Sequence, residues 1–327
     1  MSIDIVGLES FFDFDFSLIN PAFVIGMIEA EKEKNAVYFE NAVKLLEGGN
    51  MPKIGALGLS MGRYTFEEFL QYAKDAGFDG VEISTSHGVH KNSLPLTLEN
   101  VERIKELLFK FHLDPFAVSG YNDFVQKDLE ELSRQIDNLE NTCKLAKMVG
   151  AKVVRVFGGE PKEGISREDS IGLIIEGFKE LTKRVERSGI ILGLENHGSI
   201  TNDARIELKI LEAVGSEYLR LTVDTSNYYW YGNTLEDVKD FFRLVAPYTV
   251  HTHLKDGSAK DGFREKYNSL ALGDGEIDLK LFLIELEKNN YSYPLCIEYE
   301  GVEDPEIGLK KGIIWLKQTL KEIGWER

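Results

Sequence analysis

From Lys53 onward the chain repeats one pattern: a short apolar run, a polar break, then a longer segment whose apolar positions recur at helical spacing. The strand-like runs fall at 54–58 (IGALG), 79–83 (DGVEI), 114–118 (DPFAV), 152–157 (KVVRVF), 190–195 (IILGLE), 219–224 (LRLTVD), 249–254 (TVHTHL) and 294–299 (PLCIEY). Helical patterns follow near 65–76, 98–112, 128–149, 167–188, 204–214, 235–246, 278–289 and 306–322. Thr65-Phe66-Glu67-Glu68 reads as a capping box, and Gly77 and Gly150 are placed to end their helices. Regular βα alternation favours a parallel sheet covered by helices, and eight units in about 270 residues fit a closed (β/α)8 barrel better than an open doubly wound sheet. No G-x-G-x-x-G follows the first strand, which argues against a dinucleotide fold.

Residues 1–50 fall outside this pattern and are expected to be an N-terminal extension, with the barrel over 51–327. "FFDFDFS" is aromatic and acidic, and 23–47 reads as one amphipathic helix covering the barrel floor or a subunit contact. Glu47-Gly48-Gly49-Asn50 is encodable by a purine-rich stretch resembling a ribosome-binding site, which makes Met51 an alternative start.

Composition narrows the function. Of 327 residues, 43% are hydrophobic and 28% charged, with a formal net charge of -17, so a soluble globular chain that repels polyanions is expected. No basic patch offsets that charge, which speaks against a nucleic-acid partner. Cys143 and Cys296 lie in unrelated contexts, no apolar run is long enough to span a bilayer, and the N-terminus lacks the form of a secretion signal. A cytoplasmic protein without a membrane association is the simplest expectation.

Barrel chemistry collects where strands run out at their C-terminal ends. Glu195 closes the fifth strand in "LGLENHG", Asp224 the sixth in "LTVDTSN", His253 the seventh in "VHTHLKDG" and Glu298 the eighth in "CIEYEG". A carboxylate or imidazole after an apolar run is costly to bury unless paired or coordinated. Three carboxylates at one mouth repel one another, and a divalent cation removes that conflict. Oxygen ligands with one imidazole suit Mn2+, Mg2+ or Co2+, with Zn2+ as a further alternative, and do not by themselves choose among them; Mn2+ is the expectation.

Those four stretches, with "ALGDGEIDLKLFLIELEKNNYSYPLCIEYEG", resemble the sugar phosphate isomerase/epimerase family, the xylose isomerase-like barrels that include the AP endonuclease family 2 enzymes. The resemblance covers about residues 53 to 320. It implies one divalent metal held by Glu195, Asp224, His253 and Glu298. It also implies that Glu195 and Glu298 act as an acid/base pair on a small carbohydrate, giving epimerisation or aldose-ketose isomerisation through an enediolate. A lyase or dehydratase acting on a keto sugar, inosose or keto-glycoside would use the same parts. The endonuclease branch needs extra zinc histidines, and Asn227 stands where one of them would be. Barrels of this family commonly pair, so a homo-oligomer is implied.

Around these residues, His197 follows Glu195 by two and is expected on the same side of the mouth as a substrate or supporting group. Lys255 either binds a substrate oxygen or pairs with a barrel carboxylate. His87 and Asn227 complete the substrate-binding candidates, and His90 is assigned to the loop surface. Arg155 alternates inward, where it would neutralise interior carboxylates, and His251 reads as a hydrogen-bonded interior histidine. Glu160 reads as a loop carboxylate, Asn196 as turned away from the site, and Tyr228 to Tyr231 as packing aromatics.

Overall fold

Alternation of buried strands with one-sided helices closes into a barrel in the computed structural model, which describes residues 51–85, 96–259 and 266–325. Eight parallel strands form one sheet: β1 (Ile54–Leu57), β2 (Gly80–Ser84), β3 (Asp114–Ser119), β4 (Val153–Val156), β5 (Ile191–Glu195), β6 (Leu219–Asp224), β7 (Thr249–His253) and β10 (Leu295–Glu298). β10 pairs with β1, and the ring closes on the other side through Leu254, which bridges to Ile297. There the Leu254 N–H donates to Cys296 O at 2.8 Å and the Glu298 N–H donates to Leu254 O at 3.1 Å. All eight strands lie within one residue of their expected limits.

Helices cover the outside: α1 (Phe66–Ala76), α2 (Val101–Phe111), α3 (Leu129–Val149), α4 (Arg167–Val185), α5 (Ala204–Val214), α7 (Leu235–Val245), α8 (Leu279–Lys288) and α9 (Pro305–Glu322). Each turns an apolar stripe inward; α1 buries Phe66, Phe69, Leu70 and Ala73. The expected capping box is present at Thr65 and Glu68. Gly77 and Gly150 end α1 and α3 in the left-handed region, at φ 88° and 95°.

Three features escaped the hydrophobic pattern. A short helix α6 (Asn227–Tyr231) starts just after β6, and an antiparallel hairpin of β8 (Asp256–Ala259) and β9 (Tyr267–Leu270) is inserted after β7. The third is Glu82, buried in the barrel interior beside Arg155 and His251, both of which the sequence places inward. Both cysteines are buried and free, and no helix among the described residues is long and apolar enough to cross a membrane. The expected extension at 1–50 lies outside the described residues, as do His87 and His90.

Candidate metal centre

The closing residues of four strands meet at one end of the barrel. Glu195, Asp224, His253 and Glu298 are the last residues of β5, β6, β7 and β10, and none is more than 4% exposed. Parallel register sets Asp224 beside His253 across β6 and β7. One ligand-type atom each from Glu195, Asp224 and His253 lies within 4.8 Å of the others. Glu298 joins them, with Oε2 3.1 Å from His253 Nδ1, while Glu195 Oε1 is 3.5 Å from the same nitrogen.

Two buried atoms at the centre of this group, Asp224 Oδ2 and His253 Nδ1, make no hydrogen bond of regular geometry and have only charged neighbours, Lys255 Nζ 3.0 Å from the first and Glu298 Oε2 3.1 Å from the second. Buried polar atoms are normally satisfied by well-formed hydrogen bonds, so an acceptor and a ring nitrogen held among three carboxylates by ion pairs alone leave room for a further partner. A divalent cation is one, and three carboxylates with one imidazole are a donor set suited to it. The residues therefore fit the group that the sequence led us to expect.

Besides the His253 ring, two cations balance the carboxylates of the site. Lys255 Nζ lies 3.0 Å from both Asp224 Oδ2 and Glu298 Oε2 and 2.8 Å from Glu300 Oε2. Arg155 Nε lies 3.2 Å from Glu195 Oε2, and the guanidinium sits over the rings of Tyr121 and Phe157. Burial would raise the Glu298 carboxyl, but Lys255 and His253 outweigh it and hold it below its ordinary range. Burial would lower Lys255, and Asp224, Glu298 and Glu300 instead hold it well above its ordinary value, so it is an ammonium.

Sequence reasoning missed Glu82. Its side chain enters the interior from β2 and is fully buried, with Oε2 2.7 Å from both His251 Nε2 and His253 Nε2. Burial alone would raise this carboxyl, but the two imidazoles override it and hold it well below the usual carboxylate range. The available signal was alternation: Glu82 stands between the apolar Val81 and Ile83 and takes the opposite face of the strand from both, where a lone carboxylate needs partners. Cys296 lies near Glu82 and His251 as well.

The remaining candidates divide by their contacts. Asn227 starts α6; its side-chain amide donates to Glu195 Oε1 at 3.3 Å and to Asn196 O at 3.0 Å. Its backbone N–H and that of Ser226 donate to Asp224 Oδ1, at 3.0 and 2.9 Å. Asn196 staples β5 to β6, accepting from Asp224 N–H at 2.8 Å and donating to Asp224 O at 2.9 Å. His197 is at the rim, stacked on Phe157 with ring centroids 4.4 Å apart and Nδ1 3.6 Å from Glu160 Oε1. Gly198 turns the chain after it at φ 66°, where an added Cβ would meet Glu160 Oε1 at 2.4 Å. Tyr228 is fully buried with its hydroxyl on Glu207, whereas Trp230 is 39% exposed.

Known proteins show the same architecture. The chain is 24% identical over 263 residues to an inosose isomerase of Bacillus licheniformis, covering 78% of this chain and 91% of that protein. It is 23% identical over 199 residues to a 3-dehydroshikimate dehydratase of Bacillus anthracis, covering 60% of this chain and 68% of the relative. Among solved structures, a D-tagatose 3-epimerase-like protein superposes with a TM-score of 0.69 at 20% identity, covering 83% of this chain and 98% of the other. An IOLI protein with a bound zinc atom gives 0.65 at 18% identity, covering 83% and 97%. The model of the xylose isomerase-like TIM barrel family matches residues 70–319. The chain belongs to that family.

Proposed function

We propose that this protein is a divalent-metal-dependent isomerase or epimerase of a sugar or polyol, acting by proton abstraction beside a carbonyl. Glu195, Asp224, His253 and Glu298 would hold the ion. When bound, it supplies Lewis-acid charge to the substrate carbonyl, which makes the neighbouring C–H acidic enough for a carboxylate to remove. The observation that carries the reading is the convergence of ligand-type atoms of Glu195, Asp224 and His253 within 4.8 Å of one another, with Glu298 Oε2 3.1 Å from His253 Nδ1.

Each glutamate has its own cation. Arg155 lies 3.2 Å from Glu195 and Lys255 3.0 Å from Glu298, and together with His253 they keep both carboxylates ionised. Two ionised carboxylates from strands that are not neighbours, β5 and β10, are suited to approach a substrate from different sides. One ionised glutamate removes the carbon-bound proton, and for isomerisation the same proton can return from it to the adjacent carbon. For epimerisation the other glutamate must first take up a proton from solvent before delivering it to the opposite face. His197 at the rim is assigned to a substrate hydroxyl, Asn227 to bracing Glu195 beside the substrate, and Lys255 to a substrate oxygen as well as its carboxylates. His87 remains a substrate-binding proposal from sequence.

A lyase reading is supported by the dehydratase relative. It needs the same proton abstraction followed by loss of a β-leaving group. The endonuclease reading is disfavoured by Asn227, which is engaged with Glu195, and by the net charge of -17.

The test is a panel of keto sugars and inososes incubated in D2O with the metal-loaded protein, with products read by NMR. We expect deuterium at the abstracted carbon of a stereoisomer or positional isomer; loss of water or an aglycone would select the lyase. Glu298→Gln should lose about 100-fold or more of turnover, in line with removal of a general acid or base. Turnover unchanged in that variant would remove Glu298 from the chemistry.

A further inference from the structure

We infer that Glu82, which lies outside the ligand set, is a positioning residue that commits His253 to bind the metal through Nδ1. The inference rests on the metal-centre reading and extends it to a second layer of the barrel. β2 and β7 are not neighbours in the sheet, so the contact between Glu82 and His253 spans the interior.

The argument is one of donors and acceptors. A buried, ionised carboxylate can only accept, and Glu82 Oε2 is 2.7 Å from the Nε2 of His253 and 2.7 Å from the Nε2 of His251. Both imidazoles must therefore carry their proton on Nε2 to meet it. In His253 the nitrogen left for a ligand is Nδ1, the atom that faces Glu195 Oε1 at 3.5 Å and Glu298 Oε2 at 3.1 Å.

Glu82 is itself held from three directions. Ser119 donates its hydroxyl to Oε1, Arg155 Nε is 3.8 Å from Oε1, and His251 shares Oε2. His251 is two residues before His253 on the same strand, so strand periodicity places both rings on the same side and both within reach of one oxygen. A carboxylate behind a ligating imidazole fixes the ring orientation and raises its basicity, and loss of such a partner weakens metal affinity by about 10–100-fold. Arg155 also touches Glu195, so the same interior layer supports ligands on both sides of the centre.

The experiment is calorimetric titration of the full chain with Zn2+, wild type against Glu82→Gln, paired with NMR of the 15N-histidine-labelled wild type. Glutamine keeps the volume but removes the charge, and its amide can meet His251 and His253 with one acceptor oxygen. We expect the variant to bind Zn2+ about 10–100-fold more weakly. In the zinc-loaded wild type we expect an imidazole that is metal-bound at Nδ1 and protonated at Nε2. Equal affinity in a folded variant overturns the role of Glu82 and leaves the metal centre standing. Ligation through Nε2 overturns it whether or not the variant folds. A wild type that takes up no Zn2+ overturns the centre and the inference with it.

Discussion

Asp224 is the residue at which the charges of the site conflict. Burial pushes its carboxyl up, Lys255 pulls it down, and Glu298 and Glu195 push it up again, leaving it at about 6. Burial would raise Glu195 too, but His253 and Arg155 outweigh it and bring it to about 2. Burial would lower His253, yet Glu82, Glu195 and Glu298 hold it well above its ordinary value, so the metal-free ring is an imidazolium at neutral pH. Metal ligands must be deprotonated, so binding at the proposed centre would displace the Nδ1 proton of His253, and below about pH 6 a second proton from Asp224. Affinity therefore falls as pH falls, and the number of protons released rises from about one toward about two. Titrations with Zn2+ in buffers of different ionisation heat measure both quantities, and an affinity flat from about pH 5 to 8 would contradict the assignment. In the metal-free protein the two acids act on folding with opposite sign. The native state holds extra proton at Asp224 between its ordinary 3.8 and about 6, so stability falls as pH rises through that window. Glu195 stabilises above its ordinary 4.5, and that contribution is lost as pH falls toward about 2. At this scale the strand-end residues were legible because each breaks an apolar run, whereas Glu82 sits within one: "DGVEI" continues past it, so the hydrophobic pattern reads straight through a buried charge.

The elements that were legible are those whose apolar period repeats over a whole strand or several helical turns. α6 spans five residues, too few to show a period, and its aromatic run reads equally as a loop cluster. The hairpin was hidden for a different reason. β8 is "DGSA", with neither alternation nor β-branched residues, and it is held in place by a side chain outside any periodic pattern. Asp256 is 1% exposed and accepts from the backbone N–H groups of Gly257 at 2.8 Å, Gly273 at 2.9 Å, Gly275 at 3.1 Å and Ile277 at 3.3 Å. One carboxylate thus ties the start of the hairpin to the "GDGEI" turn ahead of α8. Space there is tight, since an added Cβ on Gly275 would meet Asp256 Oδ1 at 2.1 Å. Asp256→Ala strips the acceptor from four N–H groups at once and should lower stability by about 2–4 kcal/mol. Urea unfolding reads this as a lower midpoint at constant slope, with Asp256→Asn falling in between. A loss below about 0.5 kcal/mol would show that the turn holds itself without the carboxylate.

For the whole molecule, the placement of the four proposed ligands matters as much as their chemistry. Three come from consecutive strands, β5, β6 and β7, and the fourth from β10, on the far side of the seam that closes the barrel. That seam is bridged through Leu254, between His253 and Lys255, so the residues joining the ring are neighbours in sequence of those proposed to hold the metal. An ion bound by His253 and Glu298 would span the seam and at the same time offset the excess of carboxylate around it. Metal should therefore stabilise the fold as well as equip the site. For one site bound in the native state alone, a free concentration of 100 times Kd adds about 2.7 kcal/mol. In a domain of this size each kcal/mol moves the midpoint by roughly 2–4 °C, so saturating Zn2+ should raise Tm by about 5–10 °C. Excess EDTA should return the melt to its metal-free position. Because the gain requires a ligand from each side of the seam, Glu298→Ala should abolish most of the shift even though Glu195, Asp224 and His253 remain. A full shift in that variant would place the ion on β5, β6 and β7 alone and remove β10 from the ligand set.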